Sequence, residues 1–185
     1  MRWERLFEDL ESRFDSDSRL ETELEVADRT RRERALIALH GRLLANVGQT
    51  EVAVRLAAGA TAVTTTGTIS DVGPDWLLLA ETPRQSVLAT LAAVRGVVGL
   101  RPGAQEASLV GRRFTLGVAL RGISRDRAGV HVSDVDGRVV TGTIDAVGSD
   151  HIDLAEHALD EPRRGRHVVR RHVVPFSAIS SVRRR

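Results

Sequence analysis

Apolar and polar residues alternate in several places along this chain with the period of two that marks a half-buried strand. Val52, Val54 and Leu56 are separated by polar or small residues, and Val130 and Val132 repeat the pattern later. A different period precedes the second run. Within VGRRFTLGVALRGISRDRAG (110–129), Leu116, Leu120 and Ile123 fall at i, i+4 and i+7, one face of a helix, and the closing Gly129 reads as a C-terminal stop. The stretch Arg31–Gly48 reads the same way, as a helix ending at Gly48. Nearer the start, Trp3, Leu6, Phe7, Leu10 and Phe14 lie at i, i+3, i+4, i+7 and i+11, an apolar stripe on a short helix. Asp15–Ser18 then interrupts the stripe and can cap a second helix beginning near Arg19.

The pattern is written twice. Thr66–Glu81 (TGTISDVGPDWLLLAE) and Thr141–Glu156 (TGTIDAVGSDHIDLAE) are identical at ten of sixteen positions, 75 residues apart. A repeat at that spacing is a duplicated module. Downstream, LATLAAVRGV (Leu88–Val97) aligns with VVPFSAISSV (Val173–Val182), and the second copy is ten residues longer in between. Gly67 and Gly142 stand inside the second strand of each copy, where glycine marks a bend or a close backbone approach. A V-G-x-D turn follows each, at Val72–Asp75 and Val147–Asp150. Each copy therefore predicts a helix and about five short antiparallel strands, bent enough to close on themselves. The expected organisation is a helical extension over 1–27, a first unit over 28–100, a Pro/Gly linker over 101–107 and a second unit over 108–185.

A helix, five strands, a bent glycine strand and the G-x-h-x-x-V-G-x-D-x-h-x-L turn resemble the Sm-like family of small β-barrels. Gly137–Glu156 is similar to that family's first motif and Pro175–Val182 to the strand–turn–strand of its second. The resemblance implies an α+β, mostly β protein. It implies two tandem Sm-like five-stranded antiparallel barrels, each preceded by a helix, behind an N-terminal helical extension. It also implies RNA as a partner and oligomers joined through edge strands. In the family a polar side chain just inside the third strand helps hold a base. Asp153, following His151, stands at that position in the second copy, and Leu78 stands there in the first.

Strand alternation adds a second reading of the same positions. Leu77 and Leu79, and likewise Ile152 and Leu154, should point inward. That leaves Trp76 and Leu78 on an apolar outer face, where the second copy carries His151 and Asp153. Such a face calls for cover by the N-terminal helices or another subunit, or marks a ligand site.

Composition narrows the setting. Cysteine is absent, which excludes disulfides and thiolate metal sites. No signal-peptide core and no membrane-length apolar run occurs, so a cytoplasmic protein without membrane contact is expected. All 27 basic residues are Arg. Guanidinium suits bidentate phosphate recognition, although a GC-rich gene would produce the same bias. The first thirty residues hold five Arg against ten carboxylates, and the basic excess collects at the other end. There, Arg163, Arg164, Arg166, Arg170, Arg171 and Arg183–Arg185 surround only Asp160 and Glu161.

No Gly-rich phosphate loop, zinc motif or nucleophile elbow is present. His151 and His157 would lie about 20 Å apart in a straight strand, too far to share a metal. A non-enzymatic protein without cofactor or metal is expected. The leading expectation is RNA association through an Arg-rich loop and tail in the second unit, with Arg163, Arg164, Arg166, Arg170, Arg171, His151 and Asp153 as the contact set. The alternative is an interaction or assembly module that kept the barrel and lost the RNA pocket. Its partner, or a second copy, would dock on Trp3, Phe7, Leu10, Phe14 and Trp76 or on the barrel edges.

Overall fold

The computed structural model describes residues 25–32, 34–49, 51–158 and 167–184. The chain divides into two compact units, Met1–Ala38 and Leu39–Arg185. In the first, residues 25–32 are helical, and Arg32 pairs with Asp28 one turn away. The helix expected to run unbroken from Arg31 to Gly48 is interrupted at residues 36–38, at the border of the two units. Its second part is helix α1 (Leu39–Leu44). Gly48, four residues beyond its end, takes the left-handed φ of +69° that glycine adopts without strain, and its N–H donates to Ile69 O (2.8 Å).

The second unit is mostly β. Its first repeat contributes β1 (Glu51–Ala58), β2 (Thr61–Val72), β3 (Trp76–Thr82), β4 (Gln85–Thr90) and β5 (Val94–Val98). Helix α2 (Leu116–Arg125) follows, then β6 (Gly129–Asp134), β7 (Val139–Val147), β8 (His151–Glu156), β9 (Arg170–Pro175) and β10 (Ile179–Arg184). All ten strands belong to one open sheet, in the order β5-β1-β2-β3-β4-β10-β6-β7-β8-β9. The five strands of each repeat are neighbours in this order, and the sheet joins the two repeats without showing the two closed barrels expected from the sequence.

Duplication extends to the register. Ile69 pairs with Leu79 and Ile144 with Leu154, and after each pair the ladder slips by one residue before Asp71↔Leu78 or Ala146↔Asp153 resumes it. A β-carbon on Gly67 would lie 2.5 Å from Ala80 O, and one on Gly142 would lie 1.9 Å from Ala155 O, so both positions exclude any side chain. In the turns, Gly73 N–H donates to Trp76 O and Gly148 N–H to His151 O, each at 2.9 Å. Alternation in β1 buries Val52, Val54 and Leu56, and the helical stripe of α2 buries Leu116 and Leu120.

The two repeats meet where β4 pairs with β10, through Val87↔Arg183, Leu88↔Val182 and Ala89↔Ser181. Around this joint the buried Thr90 hydroxyl donates to Ile179 O and the buried Ser180 hydroxyl to Ala57 O, both at 2.8 Å. Arg183 reaches Glu81 at 2.8 Å. Trp76 is 6% exposed and packs in one apolar cluster with Leu88 and the second repeat's Leu116, Leu120, Ile152 and Val182. The apolar face predicted for Trp76 and Leu78 is covered by the second repeat of the same chain. Nor does the 101–107 segment hang free. Asn46 Oδ1 accepts from Arg101 N–H (2.8 Å) and Gln105 N–H donates to Gly41 O (2.9 Å), tying the linker to α1.

Candidate nucleic-acid interface

Strand β9 carries the described part of the Arg-rich segment. Among the described residues it pairs only with β8, from Glu156↔Arg170 to His151↔Pro175. Its sequence RRHVVP alternates accordingly. His172 and Val174 are half-buried, while Arg171, Val173 and Pro175 are exposed, and so is Arg170. A proline at the end of an outer strand is tolerated because no second ladder there needs its N–H.

A shallow cleft of about 410 Å³ runs along this strand, lined by Asp134, Arg138, Arg171, His172, Val174 and Pro175 among others. Arg138 comes from the β6–β7 turn, where its N–H donates to Asp134 Oδ1 (2.8 Å) and its carbonyl accepts from Asp134 N–H (2.9 Å). Beneath the strand, His172 Nε2 lies 2.7 Å from Glu156 Oε2. That hydrogen bond holds the Glu156 carboxyl below the usual glutamate range, and the charges of His172, Arg170 and Arg138 add to the effect. The cleft is therefore cationic, with Glu156 and Asp134 as its local counter-charges.

The predicted contact set is divided by this geometry. Arg170 and Arg171 stand at one end of β9. His151 pairs with Pro175 at the other end, roughly 17 Å away at strand spacing, and bonds Asp150 Oδ1 at 2.8 Å. The Asp150 carboxyl is lowered chiefly by that hydrogen bond. Asp153 pairs with Val173 between the two ends. Arg163, Arg164 and Arg166 lie outside the described residues, as do Trp3, Phe7, Leu10 and Phe14.

Two features differ from the sequence expectation. Arg183 and Arg184 of the basic tail lie on β10, an interior strand of the sheet, where they pair with Glu81 and Asp126, both at 2.8 Å; Arg185 lies outside the described residues. Arg138 was missed, since nothing in VDGRVV announces that a hairpin turn thirty residues upstream will flank β9.

Comparison with protein-family models, with curated proteins and with solved structures gave no match. Among the described residues, no helix is long and apolar enough to cross a membrane.

Proposed function

We propose that this chain is a tandem Sm-like protein of two five-stranded barrel units, cytoplasmic and non-enzymatic, that associates with nucleic acid, RNA first. The contact surface of this reading is the Arg-rich segment of the second repeat: Arg163, Arg164, Arg166, Arg170 and Arg171, with His151 and Asp153 further along β8. The observation that carries it is the convergence of Arg171 and Arg138 on one cleft beside an outer strand whose neighbouring residue is the exposed Arg170. Guanidinium groups spaced along an extended backbone match the phosphates of an extended single strand. Aromatic residues for stacking are missing from β9, so binding would track the backbone and read sequence poorly.

The test is a titration of the purified full chain against labelled single-stranded RNA and matched DNA across salt. Replacing Arg163, Arg164, Arg166, Arg170 and Arg171 by Ser should abolish binding. Single replacements should each remove roughly 0.7 from the logarithmic salt slope, the amount due to one neutralised phosphate. Absence of wild-type binding at low salt would reject the reading.

A second reading, an assembly or interaction module, has its own support. Both outer strands of the sheet expose a valine, Val98 on β5 and Val173 on β9.

A further inference from the structure

A second cleft, of about 260 Å³, lies between the two repeats, and no residue of β9 lines it. It opens between the β1–β2 hairpin of the first repeat and strands β6, β7 and β10 of the second. The turns of the two repeats close one end. Gly59 N–H donates to Val135 O (2.8 Å), and a β-carbon on Gly59 would lie 2.7 Å from Asp136 O. The Ser180 hydroxyl, bonded to Ala57 O, holds β10 against the end of β1 alongside. The walls are therefore set by the packing of the repeats rather than by a loose loop.

Sheet register gathers polar groups on one of these walls. His131 pairs with Arg183, and Ser133 with Ser181. Alternation sends Val130, Val132 and Val182 into the second repeat's core, so the four polar side chains share the other face, cross-strand neighbours about 5 Å apart. All four line the cleft, and Thr65 joins them from β2. Thr65 is 4% exposed. The other buried polar residues, Asn46, Thr90, Thr143, His157 and Ser180, all hold hydrogen bonds through their side chains. The Thr65 hydroxyl alone has no partner among the described residues, an arrangement that costs stability. Its counterpart in the second repeat is Val140, packed against the core, so the fold itself does not call for a hydroxyl here.

The unspent groups are donors. Arg183 gives Nη2 to Glu81 at 2.8 Å and keeps its remaining N–H groups. The Ser133 and Ser181 hydroxyls make no hydrogen bond among the described residues. His131 bonds Thr141 Oγ1 through Nδ1 at 2.8 Å, which leaves Nε2 facing the cleft residues. No carboxylate side chain lines the cleft. Leu56, Val63 and Val139 form an apolar wall, with Val63 and Val139 more than half exposed. One guanidinium, already shared with a glutamate, suits a monoanion better than a phosphate monoester carrying about −1.5 to −2 charges. The volume is just under the usual small-molecule range of roughly 300–1,000 Å³, which limits the ligand's length. We propose that this cleft binds a short-chain aliphatic monocarboxylate. Its carboxylate accepts from Arg183, Ser181 and the Thr65 hydroxyl, and its tail lies on Leu56, Val63 and Val139. The site stands apart from the β9 cleft and does not depend on the nucleic-acid reading.

The experiment is a titration of sodium butyrate into isotope-labelled full-length protein, followed by two-dimensional amide NMR at constant ionic strength. Acetate, butanol and inorganic phosphate are titrated alongside. Butyrate should shift the amides of Thr65, His131, Ser133, Ser181 and Arg183 saturably, and bind roughly tenfold or more tighter than each of the three. Arg183→Gln should weaken butyrate binding roughly tenfold or more. Thr65→Val, which installs the second repeat's residue, should weaken it several-fold. The melting temperature of Thr65→Val should stay level or rise, because a buried hydroxyl without a partner is removed. Absence of a saturable shift with butyrate overturns the proposal. So do a control that binds as tightly as butyrate, shifts centred on the arginines of β9 instead, or wild-type affinity in Thr65→Val.

Discussion

The indole Nε1 of Trp76 donates a 2.7 Å hydrogen bond to the backbone carbonyl of Phe114, 38 residues further along and just before helix α2. Beside it, Asp75 Oδ1 accepts from Leu116 N–H (2.8 Å) at the start of that helix. The two residues of the first repeat's turn thus hold the helix of the second, and Trp76 packs into the second repeat's core while the rest of the first repeat keeps a cluster of its own around Val52, Val54, Ile69, Leu77 and Leu79.

Trp76→Ala should destabilise the second unit by about 3–5 kcal/mol, the usual cost of emptying a buried aromatic site. Trp76→Phe keeps most of the volume and should cost less, with about 1 kcal/mol of the loss from the missing hydrogen bond. Urea denaturation followed by far-UV circular dichroism measures both. Because Trp76 and Leu88 lie in the second repeat's cluster, the wild type should unfold in one transition.

Glycines in the sheet should differ sharply in tolerance. Gly142→Ala drives a methyl into Ala155 O and should cost about 1–3 kcal/mol or more. Gly96→Ala, on the open edge, should stay within about 0.5 kcal/mol of wild type. Thermal melts of the two variants side by side decide this.

The Glu156–His172 bond gives stability a pH dependence of known sign. Glu156 titrates lower folded than unfolded, so its contribution is complete above the ordinary glutamate value, about 4.3. It is lost as pH falls through the lower folded value. Glu156→Gln should therefore flatten the decline in melting temperature between about pH 5 and pH 3 relative to wild type. Parallel curves would show that the pair contributes nothing.

If the β9 cleft binds nucleic acid, Arg138→Ser should weaken binding and lower the salt slope by roughly 0.7, the share of one neutralised phosphate. Arg138 is exposed, so the variant should leave urea stability within about 0.5 kcal/mol. Filter binding at three salt concentrations checks the first statement and denaturation the second.

Much of the fold was legible because local rules and the duplication pointed the same way. The alternation at Val52, Val54 and Leu56, the stripe at Leu116 and Leu120, and the close backbone approach at Gly67 and Gly142 all stand where the pattern put them. At the candidate site, Arg170 and Arg171 were legible as charge, but their place on an outer strand was not. Arg183 and Arg184 looked like the same basic tail and instead lie in an interior strand, each with a carboxylate partner.

Periodicity and repetition determined the elements, their order within each copy and the inward-facing residues. These depend on short-range sterics and on which side of a strand or helix must leave water. Only the tertiary structure decided how the copies are joined. β4 pairs with β10 across more than ninety residues of chain, the Trp76 face is covered by a helix forty residues away, and Arg138 is brought beside β9. Pairing one strand edge with another depends on backbone groups that every residue carries. No pattern of side chains along the chain specifies which two edges will meet.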